Sequence, residues 1–428
     1  MQSNWHLKHM KYIDFDNIEV STDWAFDNVR STEQWTHGYH RYPAKFLPNV
    51  VKKLIEKYAT TDGVIADLFA GCGTTLVEAK VHGIHSIGTD VNPVATLITK
   101  SKITPIEPAL LSRECEKFIN SFSNFEEEEF IDVAKHERLD YWFLPSEKTK
   151  IAFLYRNILN NTIDEQIQVF LLVCLSHILK NCSRWLQSST KPQVDPNKDI
   201  SDPFLAFKLH CKQMQQKNEL FYNELSLKGF MNVLCDIKEE DARNTSIESN
   251  SVDIVITSPP YVTSYEYADI HQLTGYWFDY FSDIAKFRKL FIGTSYSDNK
   301  DLQVASLLGA KIVKELHGKD KRVACDVANY FNDMQKVAIE MYRILKKDGY
   351  ACIVIGNTTI KDVHIKSAEV FFDLLRMAGF RKKEIIKRNI PYKLMPTLRD
   401  KITGKFTTLD NSNCKQVYPN EYIVIVKK

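Results

Sequence analysis

Gly63-Val64-Ile65-Ala66-Asp67-Leu68-Phe69-Ala70-Gly71-Cys72-Gly73-Thr74-Thr75 is the stretch whose reading decides the fold. Val64 to Phe69 is a short apolar run, and such a run, buried on both faces, is typical of a central parallel strand. Gly71 ends it, and Thr74 to His82 reads as the next helix. Ile84 to Gly88 gives a second strand that closes in Thr89-Asp90, which is βαβ order at compact spacing. Upstream, Val50, Val51, Leu54, Ile55 and Tyr58 keep helical spacing from Pro48 onward.

Working outward, glycine divides the chain. The 428 residues hold only 15 glycines, about half the roughly 7% expected. Six fall between Gly38 and Gly88, and none between Thr89 and Lys228. Helical patterns fill that gap, around Leu110–Phe122, Glu147–Leu159, Asp164–Lys180 and Phe204–Leu225, with a polar, proline-bearing loop at Ser188–Pro196. Strands are predicted again at Met231–Asp236, Val252–Thr257, Tyr350–Ile355, Lys383–Ile390 and Tyr422–Val426, with a helix at Ser367–Met377. The expected architecture is α/β, a doubly wound sheet with a helical insertion after its second strand and a smaller one after its fourth. Its parts are 1–104 (N-terminal segment and first half), 105–229 (helical insertion) and 230–428 (second half, with an insertion at about 263–330).

Totals exclude several classes. Lys and Arg number 56 against 54 Asp and Glu, a net charge of +2, which argues against coating nucleic acid non-specifically. No apolar run reaches the roughly 18–20 residues that span a bilayer, and the N-terminus lacks a signal-peptide pattern. Nine cysteines with no CxxC pair give no zinc-ligand spacing and read as free thiols in a reducing cytoplasm.

Two constellations carry chemistry. In the first, Gly71 and Gly73 let a ligand approach the backbone where a strand turns into a helix N-terminus, whose free N–H groups face that ligand. Asp90 closes the second strand 17 positions after Gly73, where it would accept hydrogen bonds from ribose hydroxyls. A plain tight turn, with Asp90 capping the helix after Pro93, is the alternative. In the second, Thr257-Ser258-Pro259-Pro260-Tyr261 leaves a strand as a stiff loop with two backbone donors removed. It presents the Ser258 hydroxyl and the Ser258 and Pro259 carbonyls as acceptors beside an aromatic ring. Those are the needs of an exocyclic amino group on a planar base. The alternative is a proline turn with a core tyrosine.

These residues resemble a known family. Phe69-Ala70-Gly71-Cys72-Gly73-Thr74 is similar to the S-adenosylmethionine motif of DNA amino-methyltransferases of restriction–modification systems, and Thr257–Tyr261 to their catalytic motif. His37-Gly38-Tyr39-His40-Arg41-Tyr42-Pro43-Ala44-Lys45-Phe46-Leu47-Pro48 resembles the segment before their first strand. Thr89-Asp90-Val91-Asn92-Pro93 resembles their ribose-binding strand end, and Cys235-Asp236-Ile237 their acidic residue near the cofactor adenine. Tyr265–Leu273 is similar to a stretch after their catalytic loop.

The resemblance implies a seven-stranded mixed, Rossmann-like class I methyltransferase sheet. It implies S-adenosylmethionine as cofactor, held by Lys45, Phe46, Pro48, Asp67, Phe69, Ala70, Gly71, Gly73, Thr74, Thr75, Asp90, Val91, Asn92, Asp236 and Ile237. Ser258, Pro259, Pro260 and Tyr261 would be catalytic. Ser258 in place of Asp or Asn implies cytosine N4 as the acceptor, in a base flipped out of double-stranded DNA; adenine N6 and an RNA amino group are the alternatives. It also implies a cognate restriction endonuclease acting on the same site. A catalytically silent binding module is a third class, against which the intact glycine loop and Ser-Pro-Pro-Tyr count.

The remaining candidates are plainer. His37/His40 and His82/His85 are HxxH pairs without a third ligand, so no metal is expected. Glu126–Glu129 reads as a solvated face. His271 and Glu266 either face the pocket or pack. Arg381, Lys382, Lys383, Lys387, Arg388, Lys393, Arg399, Lys401 and Lys405 stand against Glu384 and Asp400 alone, which reads as a phosphate-contacting patch or an exposed strand and loop.

Overall fold

A computed structural model of the chain describes residues 14–26, 29, 31–43, 45–133, 136–262, 267–297, 299–390, 398–400, 407, 410–416 and 420–428. Its centre is the predicted strand, β1 (Val64–Asp67). β2 (His85–Asp90) pairs parallel with it on one side, and β3 (Cys235–Glu239) pairs parallel with β2. On the other side β4 (Val252–Thr257) pairs parallel with β1, and β5 (Leu345–Gly356) with β4. Two hairpins follow: β6 (Thr358–Ile360) with β7 (Val363–Ile365), and, after β8 (Arg381–Asn389), β9 (Leu398–Asp400) with β10 (Cys414–Gln416). The last strand, β11 (Asn420–Lys427), inserts antiparallel between β5 and β8. The result is a seven-stranded mixed sheet of order β3-β2-β1-β4-β5-β11-β8.

Strand alternation sorts the core into two layers, because successive side chains point to opposite faces. Ile65, Ile254, Ile256, Cys352, Val354, Ile423 and Ile425 pack under α1 (Pro48–Tyr58). Ala66, Val255, Ile353, Ile355 and Val424 face the other side. The sheet order reverses between β1 and β4, and a ligand crevice opens at the carboxyl ends of strands at such a switch point. α2 (Thr74–Val81) and α3 (Pro93–Ile103) complete the first half.

The insertion is helical, as the glycine gap predicts: α4 (Pro108–Asn120), α5 (Glu137–Trp142), α6 (Pro145–Asn161), α7 (Glu165–Ile178) and α8 (Pro203–Lys228). Asp202 caps the start of α8 by accepting from Leu205 N, and Gly229 ends it. Phe118, Phe153, Phe170, Phe207, Trp142 and Trp185 build a second core here, each worth roughly 1.5–3 kcal/mol on burial. That core also takes in Tyr39, Val94 and Ile98, so the insertion is fused to the cofactor half.

After β4 come three short helices, α9 (Tyr267–Ile270), α10 (Gln272–Trp277) and α11 (Ile284–Arg288), then α12 (Leu307–Lys319) and α13 (Lys321–Ile344). α14 (Ser367–Ala378) packs against α13. Among the described residues no helix is long and apolar enough to cross a membrane.

Candidate active site

The carboxyl ends of β1, β2, β4 and β5 open onto one cleft of about 1460 Å³, larger than the roughly 300–1,000 Å³ of an ordinary small-molecule site. Its floor is the glycine loop. Gly71 and Gly73 hold φ of +50° and +78°, the left-handed region that side chains with a Cβ enter at about 1–2 kcal/mol. A Cβ on Gly73 would lie 2.7 Å from the Thr99 methyl, and one on Gly71 3.4 Å from the Tyr42 ring. Among the described residues no side chain caps the start of α2 at Gly73, so its first-turn N–H groups are left to a ligand.

Two acids, the buried Asp67 and the half-buried Asp90, brace this floor. The Asp90 carboxylate accepts from Gly71 N and Asn92 N, both at 2.9 Å, which ties the loop to the end of β2. Asp67 Oδ1 accepts from Phe69 N at 3.0 Å and from the Thr257 hydroxyl at 2.5 Å. The second bond joins the glycine loop to the strand that carries Ser258. Burial pushes both carboxyls up to about 6, against the hydrogen bonds that lower them.

The Ser-Pro-Pro-Tyr loop forms the facing wall. Ser258 Oγ donates to the Val354 carbonyl at 3.1 Å. With its proton committed to β5, the hydroxyl presents lone pairs to the cleft. Tyr261 is fixed at both ends: its ring lies against Gly356, where a Cβ would stand 2.8 Å from Cε2, and its hydroxyl donates to Glu421 Oε2 at 3.0 Å. Arg388, buried at 2% exposure, donates to the other oxygen of Glu421 at 2.7 Å. Glu421 and Arg388 carry no local sequence signal, since they sit 160 and 127 residues from Tyr261 and meet it only through strand pairing.

The cleft gathers Lys45, Phe46, Asp67, Phe69, Ala70, Gly71, Thr74, Asp90, Val91 and Ser258 to Tyr261. Other expected residues stand behind it. Pro48 opens α1 in the core, Thr75 is fully buried, and Asn92 caps α3 by accepting from Val94 N. Lys45 is held by Glu33 at 2.8 Å.

Asp236 and Ile237 require correction. β3 begins at Cys235 rather than Met231, so Asp236 pairs beside Ile87 in mid-strand, is exposed, and misses the cleft. Register places Glu239 beside Asp90, and just past this strand end Glu240 and Asp241, next to Ala242, line the cleft. A strand-end reading four residues later in the sequence would have found them.

The described residues of the expected basic patch are dispersed. Arg381, Lys382 and Lys383 are exposed at the start of β8, beside Lys427 and Val426. β8 runs parallel to β5 through β11, so they lie at the opposite edge of the sheet, about 26 Å of strand from the cleft side. Lys387 donates to the Asp16 carbonyl, and Arg388 is the buried partner of Glu421. Lys393, Lys401 and Lys405 lie outside the described residues, as do Glu266 and the Arg399 side chain.

The histidines resolve individually. His37 Nε2 lies 2.8 Å from Glu78, and His40 Nε2 lies 3.0 Å from Ser176 Oγ. His271 is in the cleft wall with its ring 5.0 Å from that of Tyr42, and burial pushes it down to about 4. Among the described residues one carboxylate cluster has metal-ligand spacing, Asp14, Asp16 and Glu369, and the Lys366 ammonium bridges it.

With this geometry in place, comparison with known proteins is informative. The profile of a family described as DNA methylase, whose members modify N6 or N4 amino groups, matches residues 3–101 and 252–428. The chain belongs to this family.

This DNA methylase is 28% identical over 406 residues to the type II methyltransferase M.MvaI of Kocuria varians, covering 86% of this chain and 87% of that one. It is 22% identical over 468 aligned positions to the type II methyltransferase M.MjaII of Methanocaldococcus jannaschii, covering 83% and 82%. A solved S-adenosylmethionine-dependent methyltransferase from Methanosarcina mazei aligns at TM-score 0.31 and 9% identity, over 91% of this chain and 98% of that one. The DNA methylase takes S-adenosylmethionine as its cofactor. Its residues fit that molecule: Gly71 in the cleft lining, uncapped N–H groups at α2, and Asp90 lone pairs beyond those given to the backbone.

Proposed function

We propose that this DNA amino-methyltransferase acts on the exocyclic N4 amino group of cytosine, in a base turned out of duplex DNA. The observation that carries the reading is the Ser258 hydroxyl, whose proton is held by the Val354 carbonyl. An oxygen oriented in this way accepts from an N–H and offers none, as an amino group requires.

The bound cofactor supplies a sulfonium-activated methyl group. Everything else falls to the chain. A cytosine amino lone pair is delocalised into the ring, so acceptors on its N–H groups favour a pyramidal nitrogen and stabilise positive charge as it develops. Ser258 Oγ and the Ser258 and Pro259 carbonyls are those acceptors, on a loop stiffened by two prolines. Tyr261, pinned by Glu421 and Gly356, is the stacking face for the base. The Asp67–Thr257 bond fixes the glycine loop relative to Ser258, the alignment on which methyl transfer depends. Asp90 accepts ribose hydroxyls, and Asp241 and Ala242 neighbour the adenine. The base must leave the stack because its amino group is inaccessible while paired. An endonuclease directed to the same sequence is the partner this reading brings with it.

The test is to incubate the protein with labelled cofactor and duplex DNA, digest, and separate the nucleosides. N4-methylcytosine is the expected product. N6-methyladenine as the sole product would overturn the base assignment, and label entering RNA but not DNA would overturn the substrate.

A further inference from the structure

Arg381, Lys382 and Lys383 lie at the end of β8 away from the cleft, whereas other cations stand at its mouth. We propose that Arg41, Lys180, Lys191 and Lys198 form a phosphate-binding rim at the mouth of the cleft, contacting the duplex backbone beside the target base. The inference rests on the DNA reading above and adds a surface to it.

Three of these residues come from the loop after α7, whose proline-bearing part stood out in the sequence without a role. Arg41, Lys180 and Lys191 line the same cleft as Ser258 and Gly71. None of the four cations is paired with a carboxylate among the described residues. Lys180 Nζ donates to the carbonyls of Gln187 and Ser189, and Lys198 Nζ to those of Lys180 and Trp185. The Arg41 guanidinium donates to Asn181 Oδ1 at 3.0 Å, and Lys191 is exposed on the loop. Of the three acids of this loop, Asp195 accepts from Asn197 N, Asp202 pairs with Lys150, and Asp199 is exposed.

Elsewhere on this surface cations find acids, as Lys148 does with Asp140 and Lys150 with Asp202. Here they are gathered close enough to repel. Burial, then Lys180 and Arg41, hold Lys198 down to about 8 against the pull of Asp195, and burial, then Arg41, lower Lys180. A cluster of unneutralised cations held by backbone carbonyls on a cleft wall is stabilised by an incoming anion. A polyanion that must thread one nucleotide into the cleft supplies that anion at the mouth. The fully buried Trp185, stacked on Trp142 at 5.2 Å, gives the loop a fixed base.

The test uses the full chain and a short fluorescent DNA duplex, with dissociation constants measured across about 50–200 mM salt. Removing one phosphate contact should lower the slope of log K against log salt by about 0.9, or about eightfold in affinity at 0.1 M salt. Arg41→Gln and Lys191→Gln should each do so, equally on specific and unrelated duplexes. Arg381→Gln with Lys382→Gln, at the far sheet edge, should leave the slope as it is. Cofactor affinity, measured by calorimetry, should be unchanged in all of them. Lys191→Gln removes an exposed side chain, so it reports on the rim even if Arg41→Gln disturbs the fold. Wild-type slopes in both single variants would overturn the rim while leaving the methylation reading intact. A wild type that neither binds nor methylates duplex DNA would overturn that reading as well. Tighter binding of a duplex RNA, with the same loss of slope, would assign the rim to RNA instead.

Discussion

Replacing Glu421 with Gln removes the charge that neutralises Arg388 while preserving shape. Arg388 is 2% exposed, and among the described residues its other acceptor is the Ala25 carbonyl at 3.5 Å and its Nε has no partner. Breaking a buried ion pair from one side costs about 3–5 kcal/mol. The Glu421 side chain keeps 13% exposure, which puts the expected loss at the lower end, about 3 kcal/mol. At roughly 2.1 cal/mol/K per residue of unfolding entropy, that is a fall on the order of 3 °C in Tm if the chain melts as one unit. The Tyr261 hydroxyl loses its ionised acceptor, a bond of about 1.5–3 kcal/mol, so kcat for methyl transfer should fall about tenfold or more while cofactor affinity holds. The uncharged pair Arg388→Met with Glu421→Gln should recover most of the lost stability, because no buried charge remains. Urea unfolding and single-turnover methylation read both effects. A single variant within about 1 kcal/mol of wild type, or a double variant as unstable as the two losses combined, would refute this account of the wall beneath Tyr261.

Gly73→Ala meets both a +78° φ and a Thr99 methyl at 2.7 Å; a loss of about 2–4 kcal/mol by urea unfolding is expected. Thr257→Val withdraws the buried donor to Asp67, costing about 1.5–3 kcal/mol and weakening methyl transfer more than cofactor binding, as a kcat-against-Kd comparison would read. Asp67 is raised from 3.8 to about 6 by burial, so the folded state holds a proton that the unfolded state has lost between those values. Its stabilising contribution is full below pH 3.8 and lost as pH rises through 6. Asp67→Asn, uncharged throughout, should therefore gain up to about 3 kcal/mol relative to wild type between pH 4 and 7, and a flat difference would dismiss the shift.

The first half of the fold was legible because its signals are local. Val64–Asp67, the glycine turn and the strand ending in Asp90 each announce themselves within a few residues. The absence of glycine from Thr89 to Lys228 marked the helical insertion for the same reason, and Gly229 ends its last helix. β3 misled because Met231, Val233 and Leu234 imitate a strand, whereas Cys-Asp-Ile-Lys-Glu is a half-exposed edge strand. Ending the strand too early put the acid at Asp236, four and five residues before Glu240 and Asp241, which line the cleft. Which end of β8 faces the cleft depends on the register of β11, a pairing no local pattern encodes, and so the charge of Arg381–Lys383 suggested a contact its position denies. Glu421 was invisible for the same reason.

The second core bears on how such proteins can be recombined. The family profile skips residues 102–251, as if this stretch were a removable cassette. Yet its aromatic interior is completed by Tyr39, Cys72, Val94 and Ile98 from one side and Leu273, Tyr276 and Trp277 from the other. A graft carrying only the inserted helices into a relative would arrive with an unfinished interior. The inserted helices are therefore portable only together with α3 behind the glycine loop and the segment after Tyr261, which makes the transplantable unit discontinuous in sequence.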